Sequence, residues 1–156
     1  MPTAPKDHAG VIAWPPLIFA TQVVAGGIAH WVWPIPLLPP WPARILGAVF
    51  AVAAGVQAVW ASRVMKRAGT NVNPNQPTIA IVADGPYTNT RNPTYLSLCL
   101  LHLGIGLLLN GVLPVLFVVP LALTLHFGVI KREERYLAAR FGETYLAYRR
   151  RVRRWI

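Results

Sequence analysis

Residues 94–130 decide the fold of this chain, and they read TYLSLCLLHLGIGLLLNGVLPVLFVVPLALTLHFGVI. The stretch is apolar almost throughout, but Asn110 and Gly111, followed by Pro114, bring turn-forming residues close to its middle. One continuous helix of this length would be too long for a bilayer and would hold a proline in its interior. The stretch therefore predicts two short membrane spans, 94–109 and 113–130, joined by a tight turn.

Two further apolar runs precede this stretch. Residues 11–33 are long enough to cross the hydrocarbon, and their early pair Pro15-Pro16 suits the first turn of a helix. Residues 43–62 follow a proline-rich connection, 34–42, that cannot be helical throughout. Gly47, Ala54 and Gly55 in the second run predict close contact with a neighbouring helix.

The composition supports a membrane protein. Of 156 residues, 54% are hydrophobic and only 13% are charged, which is too apolar for a small soluble domain that needs a wetted surface. No linker or change of composition divides the chain, so residues 1–156 are read as a single domain. The expected fold class is all-α, a polytopic integral membrane protein with about four transmembrane helices.

The charge distribution predicts sidedness. The net charge is +10, and nine of the fifteen basic residues follow position 130, in the segment 131–156 that has amphipathic spacing. Basic residues favour the cytoplasmic side, so both termini are expected there, in a bacterial-type inner membrane or an endomembrane. The expected partners are anionic lipids of the cytoplasmic leaflet. Nucleic-acid binding is not expected, because base-stacking aromatics on a soluble fold are missing.

Two polar clusters flank the deciding stretch on its predicted cytoplasmic side. Residues 84–95 read DGPYTNTRNPTY, a stiff turn in which Arg91 could pair with an anion, or only a helix entry. After the stretch, Glu133 is expected to face inward on the side of His126, seven positions earlier, while Glu134 pairs with arginine. The scattered His, Cys, Asp and Glu residues have no recognisable metal-ligand spacing, so no metal is predicted.

These residues resemble the isoprenylcysteine carboxyl methyltransferases and the related phospholipid methyltransferases, a family of integral membrane enzymes. The resemblance covers residues 68 to 152. It rests on the following matches, which agree in order and spacing: Gly85-Pro86-Tyr87, Arg91-Asn92-Pro93-Thr94-Tyr95, Glu133-Glu134, and Phe141-Gly142-Glu143-Thr144-Tyr145 with Tyr148 and Val152.

The resemblance implies S-adenosylmethionine as cofactor, held in a cytosol-facing pocket of the C-terminal helical region, with a lipophilic substrate arriving from the membrane. Glu133 would suit the ammonium group of the cofactor. The implied cofactor contacts are Ile79, Ala80, Ile81, Val82, Tyr87, Asn92, Pro93, Thr94, Tyr95 and Glu133. The chain departs from the family pattern at three positions. Asn92 replaces the histidine of the prenylcysteine branch, and Ser97 replaces a glycine that is common shortly after the motif tyrosine. Val129 stands where the prenylcysteine enzymes have a substrate-binding arginine.

The predicted reaction is methyl transfer to a lipophilic or membrane-embedded carboxylate, amine or thiol. Alignment of donor and acceptor matters most, since a carboxylate acceptor needs no base. For other acceptors Glu134, His126 or a tyrosine could take the proton, and Arg91 completes the candidate catalytic residues. The alternatives are an NADPH-dependent membrane reductase of the sterol reductase type and a non-catalytic small membrane transport or assembly protein. The oligomeric state is left open.

Overall fold

A computed structural model describes residues 8–156, and the regular structure in this range is helical, as predicted. Two short elements of other helical types lie between the α-helices: a 3-10 turn, Gly85–Thr88, and a π-helical turn, His126–Ile130. The helices are α1 Pro15–Val32, α2 Pro40–Arg67, α3 Pro93–Leu108, α4 Val112–Leu116, α5 Val118–Leu125, α6 Lys131–Phe141 and α7 Glu143–Arg151.

Proline and glycine set several helix boundaries. Pro15, Pro40 and Pro93 each occupy the first helical position, where the missing N–H has no intrahelical partner in any case. Gly142 has a φ of 51° and separates α6 from α7. The expected position of Pro15 and Pro16 in the first turn of a helix is therefore confirmed.

Small residues let α2 and α3 approach closely. A Cβ on Gly47 would lie 2.8 Å from the backbone nitrogen of Leu108 and 2.9 Å from the carbonyl oxygen of Gly104. Ala54, one of the expected contact residues, is also buried. The expectation for Gly55 is wrong, because nothing lies within 4 Å of its Cβ position, and the residue faces outward.

The proline-rich connection packs on the turn between α3 and α4. The backbone nitrogen of Leu37 donates to the carbonyl of Asn110 (3.2 Å), and that of Val112 donates to the carbonyl of Ile35 (3.0 Å). The Asn110 side chain donates to the Leu38 carbonyl at 2.8 Å and accepts from the Leu38 amide at 3.0 Å. These bonds fix the connection at the end of the helices remote from Glu133.

One long helical segment, Val112–Phe141, connects the apolar stretch to the charged residues. Its apolar part ends at Ile130, so Lys131–Phe141 lies beyond the predicted span 113–130. The π-helical turn holds more residues than an α-helical turn, so it shifts the directions of the side chains that follow it. His126 and Glu133 consequently contact different neighbours, Trp155 and Tyr95 respectively. His126 instead shares a neighbour, Arg154, with Glu134, so the expectation that it lies on the side of Glu133 is wrong.

Two helices in the described range are long and apolar enough to cross a membrane, Pro40–Arg67 and Val112–Phe141. Helix α3, at 16 residues, is apolar but shorter. Large apolar side chains are exposed on the outside of the helices, including Val52 at 66% and Val56 at 63%. The four spans and the cytoplasmic orientation remain predictions.

Candidate functional site

A cavity lies where the loop after α2, the start of α3, and helices α6 and α7 meet. Its mouth is open to solvent, so a ligand can enter from that side. Its lining is rich in tyrosine, asparagine and carboxylate groups. The lining residues are Ala9, Met65, Asn71, Val72, Asn73, Pro74, Thr78, Ala80, Ile81, Val82, Tyr87, Arg91, Asn92, Pro93, Thr94, Tyr95, Glu133, Glu134, Tyr136, Leu137, Tyr145 and Tyr148.

Glu133 contributes a carboxylate to the cavity wall. Its Oε1 atom accepts a hydrogen bond of 2.7 Å from the hydroxyl of Tyr95, which is itself buried. Burial raises the pKa of Glu133 to about 7, the bond from Tyr95 opposes this rise, and the charge of Glu134 adds to it. A carboxylate with so little solvation gains by meeting a cationic ligand group.

The neighbouring Glu134 is held by two arginines. Arg91 Nη2 donates to its Oε1 atom, and Arg154 donates through Nε to Oε1 and through Nη2 to Oε2, each at 2.8 Å. Burial opposes the charge, but the hydrogen bond from Arg154 and the charges of both arginines outweigh it and lower the pKa of Glu134. Glu134 is therefore a fixed anion that ties two segments together, and it is a weak proton acceptor.

The C-terminal residues hold the loop that enters α3. The Arg91 backbone nitrogen donates to the carbonyl of Arg153 at 2.9 Å. The Arg154 carbonyl accepts from Thr90 Oγ1 at 3.1 Å and from Asn92 Nδ2 at 2.8 Å. This connection was not predicted, because Arg154 is only one of several arginines in a basic tail. No local sequence signal separates it from the others.

Tyrosines supply neutral hydrogen-bonding groups to the cavity. The Tyr148 hydroxyl donates to the backbone carbonyl of Tyr87 at 2.8 Å, which joins α7 to the 3-10 turn. Burial raises the pKa of Tyr87 to about 12, and burial likewise raises the pKa of Tyr145 to about 12. Both phenols therefore stay protonated at neutral pH, and neither supplies a phenolate that could accept a proton.

Most of the predicted site residues meet at this cavity. Those that line it are Ala80, Ile81, Val82, Tyr87, Arg91, Asn92, Pro93, Thr94, Tyr95, Glu133 and Glu134. Ile79 does not line it; its side chain is 61% exposed, and its backbone nitrogen donates to Thr70 Oγ1. His126 is also outside the lining, and its Nδ1 atom accepts from the Trp155 indole at 3.2 Å.

The loop between α2 and the 3-10 turn adds lining residues that were not predicted. Asn71 donates to the carbonyl of Pro77 at 2.8 Å, and the Thr78 backbone nitrogen donates to the hydroxyl of Tyr136 at 3.3 Å. The run NVNPNQP, residues 71–77, is a polar, turn-rich signal that could have indicated a binding loop. The hydrogen bond between this loop and Tyr136 of α6 is a tertiary contact, and the spacing of residues along the sequence does not reveal it.

Comparisons with known proteins address the family. The chain is similar to an uncharacterized protein of Haemophilus influenzae (strain ATCC 51907 / DSM 11121 / KW20 / Rd), with 42% identity over 62 residues, or 40% of this chain and 98% of that protein. No solved structure matches. A sequence model described as phospholipid methyltransferase matches residues 42–144, which is more than half of the chain and includes most of the cavity lining. The resemblance read from the motifs is confirmed: the chain belongs to the phospholipid methyltransferase family.

Proposed function

We propose that this protein is an S-adenosylmethionine-dependent methyltransferase of a membrane, acting on a lipophilic acceptor. The observation that carries the proposal is the Glu133 carboxylate, poorly solvated, bonded to Tyr95 and facing a solvent-open cavity. The family membership indicates methyl transfer in general and does not favour the reductase or the non-catalytic alternatives.

The chemistry of the cavity suits this cofactor. A carboxylate beside aromatic rings matches a ligand that combines an ammonium group, a sulfonium and a nucleoside. We expect Glu133 to pair with the ammonium group, and Tyr87 and Tyr95 to contact the apolar faces of the ligand. The proposed contacts also include Ala80 to Val82 and Asn92 to Thr94, whereas Ile79, which is turned outward, is omitted. When bound, the cofactor supplies a methyl group on positively charged sulfur.

The protein side chains would act mainly by positioning. The ion pairs of Glu134 with Arg91 and Arg154 hold the α3 entry loop against the C-terminus, so the cavity wall is rigid. Buried tyrosines restrict water around the reacting groups. Glu134 and the cavity phenols are poor proton acceptors, and Glu133 is assigned to the ammonium group, so the acceptor would be one that reacts as a carboxylate, a free amine or a thiolate.

A membrane location fits the apolar surface. The two long helices, the exposed valines and tryptophans, and the family all suggest a membrane protein. We propose that the cavity opens on the cytoplasmic side, since most basic residues surround that end. The proposed cytoplasmic N-terminus includes residues 1–7, which lie outside the described range.

Calorimetry with S-adenosylhomocysteine tests the cofactor proposal. The purified protein in detergent should bind it, and Glu133→Ala should weaken binding by about 10- to 100-fold, the effect of losing a charge-assisted hydrogen bond. Tyr95→Phe should weaken binding by up to about tenfold, because it loosens the carboxylate. The matched control is Glu143→Gln, a carboxylate whose side chain is 73% exposed. No binding by the wild type, or equal affinities in all variants, would refute the proposal.

The acceptor needs a separate screen. Transfer of a radiolabelled methyl group into membrane lipids, lipophilic amines, thiols and carboxylic acids would identify the acceptor class by the partitioning of the product. Glu133→Ala should lower transfer to every acceptor alike. Retention of full transfer by this variant would contradict the role given to Glu133.

A further inference from the structure

A groove runs along the outer face of α2. Its residues form two helical rows with steps of four positions: Gly55, Val59, Arg63 and Arg67 in one row, and Val56, Trp60 and Val64 in the other. The rows combine an apolar end with a cationic end. The opposite face of α2, which includes the buried Gly47 and Ala54, packs inside the protein.

The cationic end consists of Arg63 and Arg67, one helical turn apart. Both are exposed, and neither forms an ion pair with any residue that the structure describes. Asp84 is adjacent in sequence to Gly85 at the groove, but it makes no ion pair with either arginine. Two guanidinium groups are thus available to one external anion, and their planar donors suit phosphate oxygens.

The apolar end is open to whatever surrounds the helix. Val56 is 63% exposed, and Val59 and Trp60 are each 49% exposed. At Gly55 no atom lies within 4 Å of the Cβ position, so the helix surface has a notch there. From Arg63 to Gly55 the apolar surface extends for about 12 Å along the helix axis. Trp60 lies between the two ends, where an amphipathic ring suits the membrane boundary.

We propose that this groove binds an anionic glycerophospholipid, with its phosphate on Arg63 and Arg67 and the upper part of an acyl chain along Gly55 and Val59. The distribution of charge and apolar surface matches such a lipid end to end. The inference rests on the membrane location proposed above. It does not rest on methyl transfer, and the lipid is distinct from the methyl acceptor.

The groove lies beside the cavity and is separated from it by the 3-10 turn. A Cβ on Gly85 would lie 3.1 Å from Trp60 Nε1 and 3.0 Å from Val64 Cγ2, so this turn packs directly on the groove residues. Tyr87, in the same turn, lines the cavity. A lipid in the groove would therefore support the outer side of the cavity wall without entering the cavity.

Fluorescence quenching of Trp60 tests the proposal. The full chain is placed in phosphatidylcholine nanodiscs that contain an increasing fraction of a second lipid, which is either phosphatidylglycerol or phosphatidylcholine and is brominated near the glycerol end of its acyl chains. The Trp60 signal is the difference between the wild type and Trp60→Phe. Brominated phosphatidylglycerol should quench this signal at a lower fraction than brominated phosphatidylcholine does. The preference should fall about fivefold for each arginine removed.

Charge-matched variants identify the arginines as the cause. Arg63→Gln and the double variant with Arg67→Gln should lose the preference stepwise, whereas Lys66→Gln, an equal change of charge on an exposed residue outside the groove, should lower it by less than Arg63→Gln does. Equal quenching by the two lipids, or a double variant that keeps the preference, would overturn the proposal. Absence of quenching by either lipid would overturn it together with the membrane position of α2. Binding of S-adenosylhomocysteine, measured in parallel, tests the methyltransferase proposal independently.

Discussion

Glu134→Gln should destabilise the folded protein strongly, because it removes the anion shared by two arginines. The side chains of Arg91 and Glu134 are 8% and 9% exposed, and three hydrogen bonds of 2.8 Å converge on the carboxylate. Glutamine has nearly the same shape, but one of its polar atoms is an NH₂ donor that would face a guanidinium donor. The variant thus leaves buried positive charge without its partner.

The size of the effect follows from burial. Removing one partner of a buried ion pair costs about 3–5 kcal/mol, because the other charge stays desolvated. Arg154 is 28% exposed and recovers part of its hydration, whereas Arg91 recovers little. We therefore expect Glu134→Gln to lower the free energy of unfolding by about 3 kcal/mol, the lower end of this range.

The measurement is reversible unfolding in mixed micelles, followed by far-ultraviolet circular dichroism. The control is Glu143→Gln, which breaks an ion pair with Arg150 whose side chains are 73% and 64% exposed and should cost less than about 1 kcal/mol. The folded pKa of Glu134 is lowered, so its stabilisation is present above the unfolded pKa and is lost as the pH falls through the folded value. A Glu134→Gln effect no larger than that of the control would refute the reasoning.

Three further variants can be measured by the same unfolding method. Gly47→Ala should lower the free energy of unfolding by about 1–3 kcal/mol, because its Cβ would lie 2.8 Å from the backbone nitrogen of Leu108. Glu133→Gln should stabilise the protein above pH 7 by an amount on the order of 2 kcal/mol. The folded pKa of Glu133 is raised from 4.5 to about 7, so wild-type stability falls as the pH rises through this window, and an amide has no such loss. Tyr148→Phe should cost about 1–2 kcal/mol, because the buried Tyr87 carbonyl loses its donor.

Each of these variants has a matched control or a contrary outcome. Gly55→Ala adds the same methyl group to the same helix where nothing lies within 4 Å, so its effect should be near zero, and equal effects would contradict the packing argument. If the difference in free energy of unfolding between Glu133→Gln and the wild type stays constant between pH 4.5 and pH 7, the Glu133 pKa is not raised. Tyr145→Phe, which removes a buried cavity-lining phenol without a hydrogen bond to any described residue, separates loss of the Tyr148 bond from loss of any hydroxyl.

Local signals were sufficient for the helices. The prolines at positions 15 and 93, the turn at Asn110, and the break at Gly142 act through backbone constraints that do not depend on the rest of the molecule. The contact between Gly47 and α3 could also be anticipated from residue size, but residue size predicts the same contact at Gly55, where the structure has none. Which face of a helix meets a neighbour depends on how the helices pack, and small size alone does not determine it.

The site was partly readable in advance. Tyr95 and Glu133 were selected from motifs, and the structure brings them within 2.7 Å. His126 was selected as a residue that could take a proton from the acceptor, but the π-helical turn directs it to Trp155 instead. Such a turn has no reliable sequence signature, so the helical register beyond it could not be calculated.

By itself, the sequence determined the helical class, the turn that divides residues 94–130, and the two polar clusters that flank this stretch, since these follow from hydrophobicity and from the backbone limits of proline and glycine. Only the tertiary structure decided that Glu134 is tied to Arg91 and Arg154, whereas the Glu133 carboxylate meets Tyr95 at the cavity wall and no arginine among the described residues. Two adjacent, chemically identical side chains differ only in what surrounds them. Those surroundings come from residues 20 to 43 positions away along the chain.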